Sequence, residues 1–105
     1  MTVRIAVDCM GGDHGLPVTV PACLSFLAHE PDAFVLLVGR QAEVEQALAR
    51  LPAQAQAVTG RYEIRHAGEV VAMDEPPASA LRTKRDSSMR VAAELVKAGE
   101  ADAFL

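Results

Sequence analysis

Apolar residues along this chain of 105 residues follow two rhythms, short continuous runs and stretches spaced three and four apart. Val3 to Val7 is a β-branched-rich run that stops at Asp8 and a glycine pair, and it predicts a buried first strand. Gly11 to Gly15 read as a loop, after which Pro17 suits a first helical position. Val20, Leu24 and Leu27 follow at i, i+4 and i+7, giving an amphipathic helix that ends before Pro31. Phe34 to Val38 is continuously apolar and closed by Gly39, the pattern of a strand covered on both faces. Val44, Leu48 and Leu51 repeat the helical spacing up to Pro52.

Ala53 to Gly60 is polar and alanine-rich and reads as a connection, by composition the least ordered stretch. Tyr62, Ile64 and His66 alternate with Glu63 and Arg65, which suits a half-exposed third strand that Val70 and Val71 extend. Pro76-Pro77 makes Met73 to Pro77 a loop, and Ala78 to Thr83 reads as a short helix. Ser87 is placed to cap a longer helix on which Met89, Ala92, Ala93 and Val96 share a face, with Gly99 just past its end. Ala101 to Leu105 begins another apolar strand. Strands alternating with helices predict a three-layer αβα fold around an open, mostly parallel, Rossmann-like sheet. The last strand lacks the cover a buried parallel strand needs, so the expectation is one α/β domain whose remainder is missing.

Composition narrows the functional classes. Half the residues are hydrophobic, 23% are charged, 4% are aromatic and Trp is absent, so the core must be aliphatic. A formal net charge of −4 argues against general nucleic-acid binding, which needs an excess of Lys and Arg. Cys9 and Cys23 have neither CxxC spacing nor a paired His, which argues against a zinc site and a stabilising disulfide. No apolar run approaches the roughly 20 residues that cross a bilayer, and no signal-peptide layout is present. The cytoplasm is the expected location.

Two segments carry candidate chemistry. The first, Asp8-Cys9-Met10-Gly11-Gly12-Asp13, follows the first strand, and open α/β sheets bind ligands beyond the carboxyl ends of their strands. Paired glycines let the backbone turn sharply and bring N–H groups to an anion. Asp8 and Asp13 would repel phosphate directly, so they either fix the loop by hydrogen bonds or hold a cation. A plain tight turn explains the same residues, and no G-x-G-x-x-G is present. His14 is a candidate base or phosphate ligand, or a solvated loop residue. His29 and His66 have no supporting context, and Cys9 reads as a small buried thiol rather than a nucleophile.

The second segment runs from Met73-Asp74-Glu75-Pro76-Pro77 to Arg90. Four of the ten basic residues fall between Arg82 and Arg90, and Ser87 and Ser88 open a helix there. Helix N–H groups, hydroxyls and the cations Arg82, Lys84 and Arg85 make an anion site. An exposed basic helix end capped by a serine is the plainer reading. Docking of an acidic protein on a basic patch is a third.

Together the segments resemble the acyl-ACP:phosphate acyltransferases, the PlsX-type enzymes of bacterial phospholipid synthesis. Arg4-Ile5-Ala6-Val7-Asp8 with Met10-Gly11-Gly12-Asp13 resembles that family's opening. Met73-Asp74-Glu75-Pro76-Pro77-Ala78, Ala80-Leu81-Arg82, Lys84 and Asp86-Ser87-Ser88-Met89-Arg90 resemble its second block in the same order. Leu95 to Ala103 matches the approach to the next strand, so the resemblance spans the chain. Two departures stand out: Cys9 replaces a usual small residue such as Ala, and Leu16 precedes Pro17 where proline usually follows the glycine directly.

The resemblance implies a fold similar to phosphate acetyltransferases and transfer of a long-chain acyl group from acyl carrier protein to inorganic phosphate. It also implies a homodimer associated peripherally with the membrane. The phosphate and substrate candidates are Asp8, Gly11, Gly12, Asp13, His14, Arg82, Lys84, Arg85, Ser87 and Ser88; no catalytic base, metal or cofactor is assigned. A short-chain phosphate acyltransferase using acyl-CoA and a non-catalytic anion-binding or carrier-docking module remain the alternatives.

Overall fold

The structure, a computed structural model, describes residues 2–11, 15–69 and 86–105. The chain runs β1 (Val3–Asp8), α1 (Leu16–His29), β2 (Ala33–Gly39), α2 (Gln41–Ala49), α3 (Pro52–Ala57), β3 (Tyr62–His66), α4 (Ser88–Lys97) and β4 (Ala103–Phe104). The strands form one sheet in the order β3-β2-β1-β4, with every pairing parallel. The predicted extension of β3 through Val71, the loop at Met73–Pro77 and the helix at Ala78–Thr83 lie outside the described residues.

β2 occupies the middle of this sheet because its run of apolar side chains can be satisfied only between two layers. Val35 and Leu37 point into a core with Val20, Leu24 and Leu27 of α1, Val44 and Leu48 of α2, and Ala55 of α3. Leu36 and Val38 point the other way, against Ala6, Ala92 and Leu95. Three helices therefore cover one face and α4 covers the other, which is the three-layer αβα arrangement. Burying each of these aliphatic side chains contributes about 1.5–3 kcal/mol.

Two readings of the sequence need correction. The stretch after Pro52 is helical: Pro52 stands in the first turn of α3, where its missing N–H costs nothing, and Ala-Gln-Ala-Gln-Ala continues it. Pro52 thus ends one helix and starts the next. On α4 the buried line is Ser88, Ala92 and Leu95; Met89 and Ala93 stand at its margin, so the face is turned by one residue from the predicted one.

The helix ends follow local chemistry. Gly99, at φ 80°, lets the chain leave α4 with Gly99 N–H donating to Val96 O at 3.1 Å and Glu100 N–H to Leu95 O at 2.9 Å. That pair of bonds is a Schellman ending. At the α1–β2 turn, Arg61 donates to the carbonyls of Leu27 (2.8 Å), Ala33 (3.2 Å) and Glu30, locking the start of β3 onto the end of α1.

Leu36 is fully buried on the central strand. Replacing it with Ala should destabilise the fold by about 2–5 kcal/mol in denaturant unfolding, because the cavity lies between rigid layers.

Candidate functional site at the carboxyl edge of the sheet

The carboxyl ends of the parallel strands all open on one edge, and a row of backbone bonds stitches the loops there together. Asp8 N–H donates to Leu105 O and Cys9 N–H to Val38 O, both at 2.9 Å, so the loop after β1 hangs from both neighbouring strands. Ala67 N–H donates to Gly39 O at 2.8 Å. Glu69 forms a parallel bridge with Ser87: Glu69 N–H donates to Asp86 O, and Ser88 N–H to Glu69 O, both at 3.0 Å. The first loop and the start of α4 therefore belong to one continuous edge.

Asp8 is spent on holding its own loop. Its Oδ1 accepts from Met10 N–H at 3.1 Å, and Gly11 N–H donates to its backbone carbonyl at 3.3 Å. A Cβ on Gly11 would stand 3.0 Å from Asp8 Oδ2, so the closeness of that carboxylate favours glycine. Thr19 Oγ1 donates to Cys9 O at 2.7 Å, tying the loop to α1. Met10 lies across the end of β2, where a Cβ on Gly39 would come within 3.0 Å of its sulfur. Of the two roles open to Asp8 in the sequence, the geometry displays loop fixation. Gly12, Asp13 and His14 lie outside the described residues.

At the other end of the edge, Ser87 is the N-cap of α4, accepting from Arg90 N–H at 3.1 Å. Ser88 is also buried, and its Oγ has no hydrogen-bond partner among the described residues. A buried hydroxyl in that state is a donor awaiting an acceptor. Arg82, Lys84 and Arg85 lie outside the described residues.

Sequence pattern assigned no role to the residues that frame this corner. Asp86 Oδ2 accepts from Gly68 N–H at 2.7 Å, and a Cβ on Gly68 would stand only 2.6 Å from that oxygen. His66, which had no context in the sequence, accepts from Gln41 N–H through Nδ1 at 3.2 Å and so engages the first turn of α2. Arg40 donates to Gly68 O at 3.3 Å. His29 bonds Ser25 O on the exposed end of α1, away from this edge.

Cys9 and Cys23 are both buried and free. The hydrogen bond with Cys23 and burial push the Cys9 thiol well above its ordinary pKa. A thiol held protonated makes a poor nucleophile. Among the described residues no group of three His, Cys, Asp or Glu is placed to hold a metal ion.

This edge of a parallel αβα sheet, with Gly11 in the loop after β1 and a serine-capped helix beside it, defines an α/β protein, the class whose ligands generally bind beyond the carboxyl ends of the strands. The chain belongs to the fatty acid synthesis protein family, whose pattern it matches over residues 3–105. It is similar to proteins named phosphate acyltransferase: 55% identical over 101 residues to that of Bordetella petrii, and 53% over 103 residues to that of a Janthinobacterium. The relative from Halorhodospira halophila is 51% identical over 100 residues. These matches take in 96%, 98% and 95% of this chain but only 28% of each relative, so the chain spans little more than a quarter of their length.

Ser87→Ala should cost about 1 kcal/mol in thermal or denaturant unfolding through loss of the cap. A thiol-specific reagent at pH 8 should leave Cys9 unmodified in the folded protein and label it rapidly in denaturant. Fast labelling of Cys9 in the native state would contradict the buried, protonated thiol.

Proposed function

We propose that the complete protein transfers a long-chain acyl group from acyl carrier protein to inorganic phosphate, producing an acyl phosphate for phospholipid synthesis. The observation that carries this reading is the continuous carboxyl edge, which brings the Asp8–Gly11 loop and the Ser87–Ser88 helix start into one row in a chain of this family. The names of the relatives supply the reaction class, and the resemblance of both blocks to the carrier-protein enzymes supplies the donor.

In this reaction a phosphate oxygen attacks the thioester carbonyl carbon. The C–O bond forms, the C–S bond breaks, and the proton lost by phosphate ends on the departing thiolate. The protein must hold a multiply charged anion against a neutral thioester and stabilise the oxyanion between them. We assign anion binding to the Gly11–Gly12 segment, the Ser88 hydroxyl and the cations Arg82, Lys84 and Arg85. His14 is assigned as a further phosphate ligand, with Asp8 and Asp13 shaping the loop. Arg82 to Arg90 also form the basic patch toward which an acidic carrier protein is drawn on an otherwise acidic chain.

The same reading places the protein in the cytoplasm as a homodimer that meets the membrane peripherally, where its long-chain product is consumed. No helix among the described residues is long and apolar enough to cross a membrane.

Acyl-phosphate formation should be measured with the protein at its relatives' full length. Turnover with long-chain acyl-ACP and phosphate, and little with acetyl-CoA, is the expected result; the reverse preference would point to a short-chain enzyme. Residues 1–105 alone should show no turnover, and robust catalysis by them would contradict a site completed by later residues. In the active protein Ser88→Ala should raise the KM for phosphate about tenfold or more, the loss of one hydrogen bond to a charged group. It should leave stability unchanged or slightly higher, since the hydroxyl it removes has no partner among the described residues.

A further inference from the structure

Cys9 and Cys23 stand on different elements, the loop after β1 and helix α1, and the fold brings them together. Thr19 and Cys23 are one turn apart on α1 and share a face. Thr19 Oγ1 donates to the carbonyl oxygen of Cys9 at 2.7 Å, which lays Cys9 over that same face. Both cysteines belong to one buried cluster with Val20, Leu24, Val35 and Leu37. Their thiols are free, and Cys9 donates a hydrogen bond to the sulfur of Cys23.

The two sulfurs are unlike. Cys9 has no exposed surface, whereas Cys23 retains 7%. Donation from Cys9 lowers the Cys23 thiol below its ordinary pKa, against the opposing effect of burial. The same hydrogen bond, with burial, holds Cys9 above its own. The proton therefore stays on Cys9, and negative charge develops on Cys23. A thiolate with an edge to solvent and a second thiol in contact is the arrangement of an oxidisable cysteine beside a resolving one.

We propose that Cys9 and Cys23 are a modification site, a dithiol that hydrogen peroxide converts reversibly to an intramolecular disulfide. The Cys23 sulfur attacks one peroxide oxygen. An S–O bond forms, the O–O bond breaks, and the departing hydroxide takes up the proton that Cys23 had released. Sulfur is oxidised to the sulfenic acid and peroxide is reduced to water. The Cys9 sulfur then attacks the sulfur of Cys23. The S–S bond forms, the S–O bond breaks, and the second hydroxide leaves with the Cys9 proton. Two thiols and one peroxide thus give one disulfide and two waters.

The geometry serves both steps. Only Cys23 has to meet peroxide, and it is the cysteine with exposed surface. The hydrogen bond to Cys23 is the first cause of the raised Cys9 pKa, and oxidation of Cys23 ends it. The resolving thiol is thereby released at the step that needs it. Contact between the sulfurs makes that step unimolecular. The bond would join the loop after β1 to α1 covalently, alongside the Thr19 hydrogen bond. Dithiol reductants reverse such a bond by exchange, so it is a transient mark and adds nothing to the reduced fold. The site is independent of the proposed acyl transfer.

The test uses the protein at its relatives' full length, reduced, freed of reductant and exposed to hydrogen peroxide. It is then quenched, denatured, alkylated with iodoacetamide and digested with trypsin. No Lys or Arg lies between Ile5 and Gly39, so one peptide, residues 5–40, carries both cysteines. That peptide should be found unalkylated and two hydrogens lighter than its reduced form. Dithiothreitol before alkylation should restore two alkylated cysteines. In Cys9→Ala, dimedone should trap Cys23 as its sulfenic acid about tenfold or more faster than it traps Cys9 in Cys23→Ala. Both cysteines still fully alkylated, after peroxide that oxidises free cysteine in the same solution, would overturn the proposal. So would a disulfide joining two chains, or Cys9 oxidising as fast as Cys23. The unsubstituted protein decides the disulfide by itself, whatever the folding of the variants.

Discussion

The rest of the structure depends on the burial of β2 on both faces. A strand reading Ala-Phe-Val-Leu-Leu-Val-Gly has no polar side to give to solvent, so it must lie inside a sheet with a layer on each face. Val35 and Leu37 demand α1, α2 and α3; Leu36 and Val38 demand α4. Once helices must lie on both faces, the connections become crossovers and the strands parallel, and all carboxyl ends gather at one edge. The position of the candidate site therefore follows from the packing of a strand that contributes no chemistry.

What happens at that edge is governed by polar contacts to backbone rather than by packing. Asp8 and Ser87, the two side chains with the most suggestive chemistry, are engaged in holding the loop and capping the helix. This does not weaken the case for an anion site. It divides the labour: carboxylates, the cap hydroxyl and the N–H groups of residues 8–11 set the shape, while the Ser88 hydroxyl, unpartnered among the described residues, is left to meet charge. Asp86 performs the same shaping role from the other side by accepting from Gly68 N–H. Asp8 and Asp86 thus each already accept a backbone N–H at this edge.

Much of the fold was legible because it is written in period. The apolar run of β2, the i, i+4, i+7 spacing of α1 and the alternation of β3 each name their element directly. Ser87 as a cap and Gly99 past the helix end were legible for a different reason, since each is a residue type that its position requires. α3 was missed because Pro52 carries a stop signal and a start signal at once, and its Ala and Gln residues have little apolar periodicity. The face of α4 was misread by one residue because Ala93, Val96 and Met89 are as apolar as the residues that are buried. The Gly68–Asp86 contact left no trace at all: it joins residues eighteen positions apart, and no local rule links them. Of the candidate site, the family blocks located the segments but could not show which side chains were already committed.

The central claim is that this family binds phosphate at the carboxyl edge between the loop after β1 and the start of α4. The most direct measurement is a crystal structure of the full-length protein grown or soaked with phosphate. The account predicts anion density at that edge, within hydrogen-bonding distance of the Gly11–Gly12 backbone or of Ser88 and the Arg82–Arg85 cations. Phosphate bound at the amino ends of the strands, or at a site touching neither segment, would contradict it.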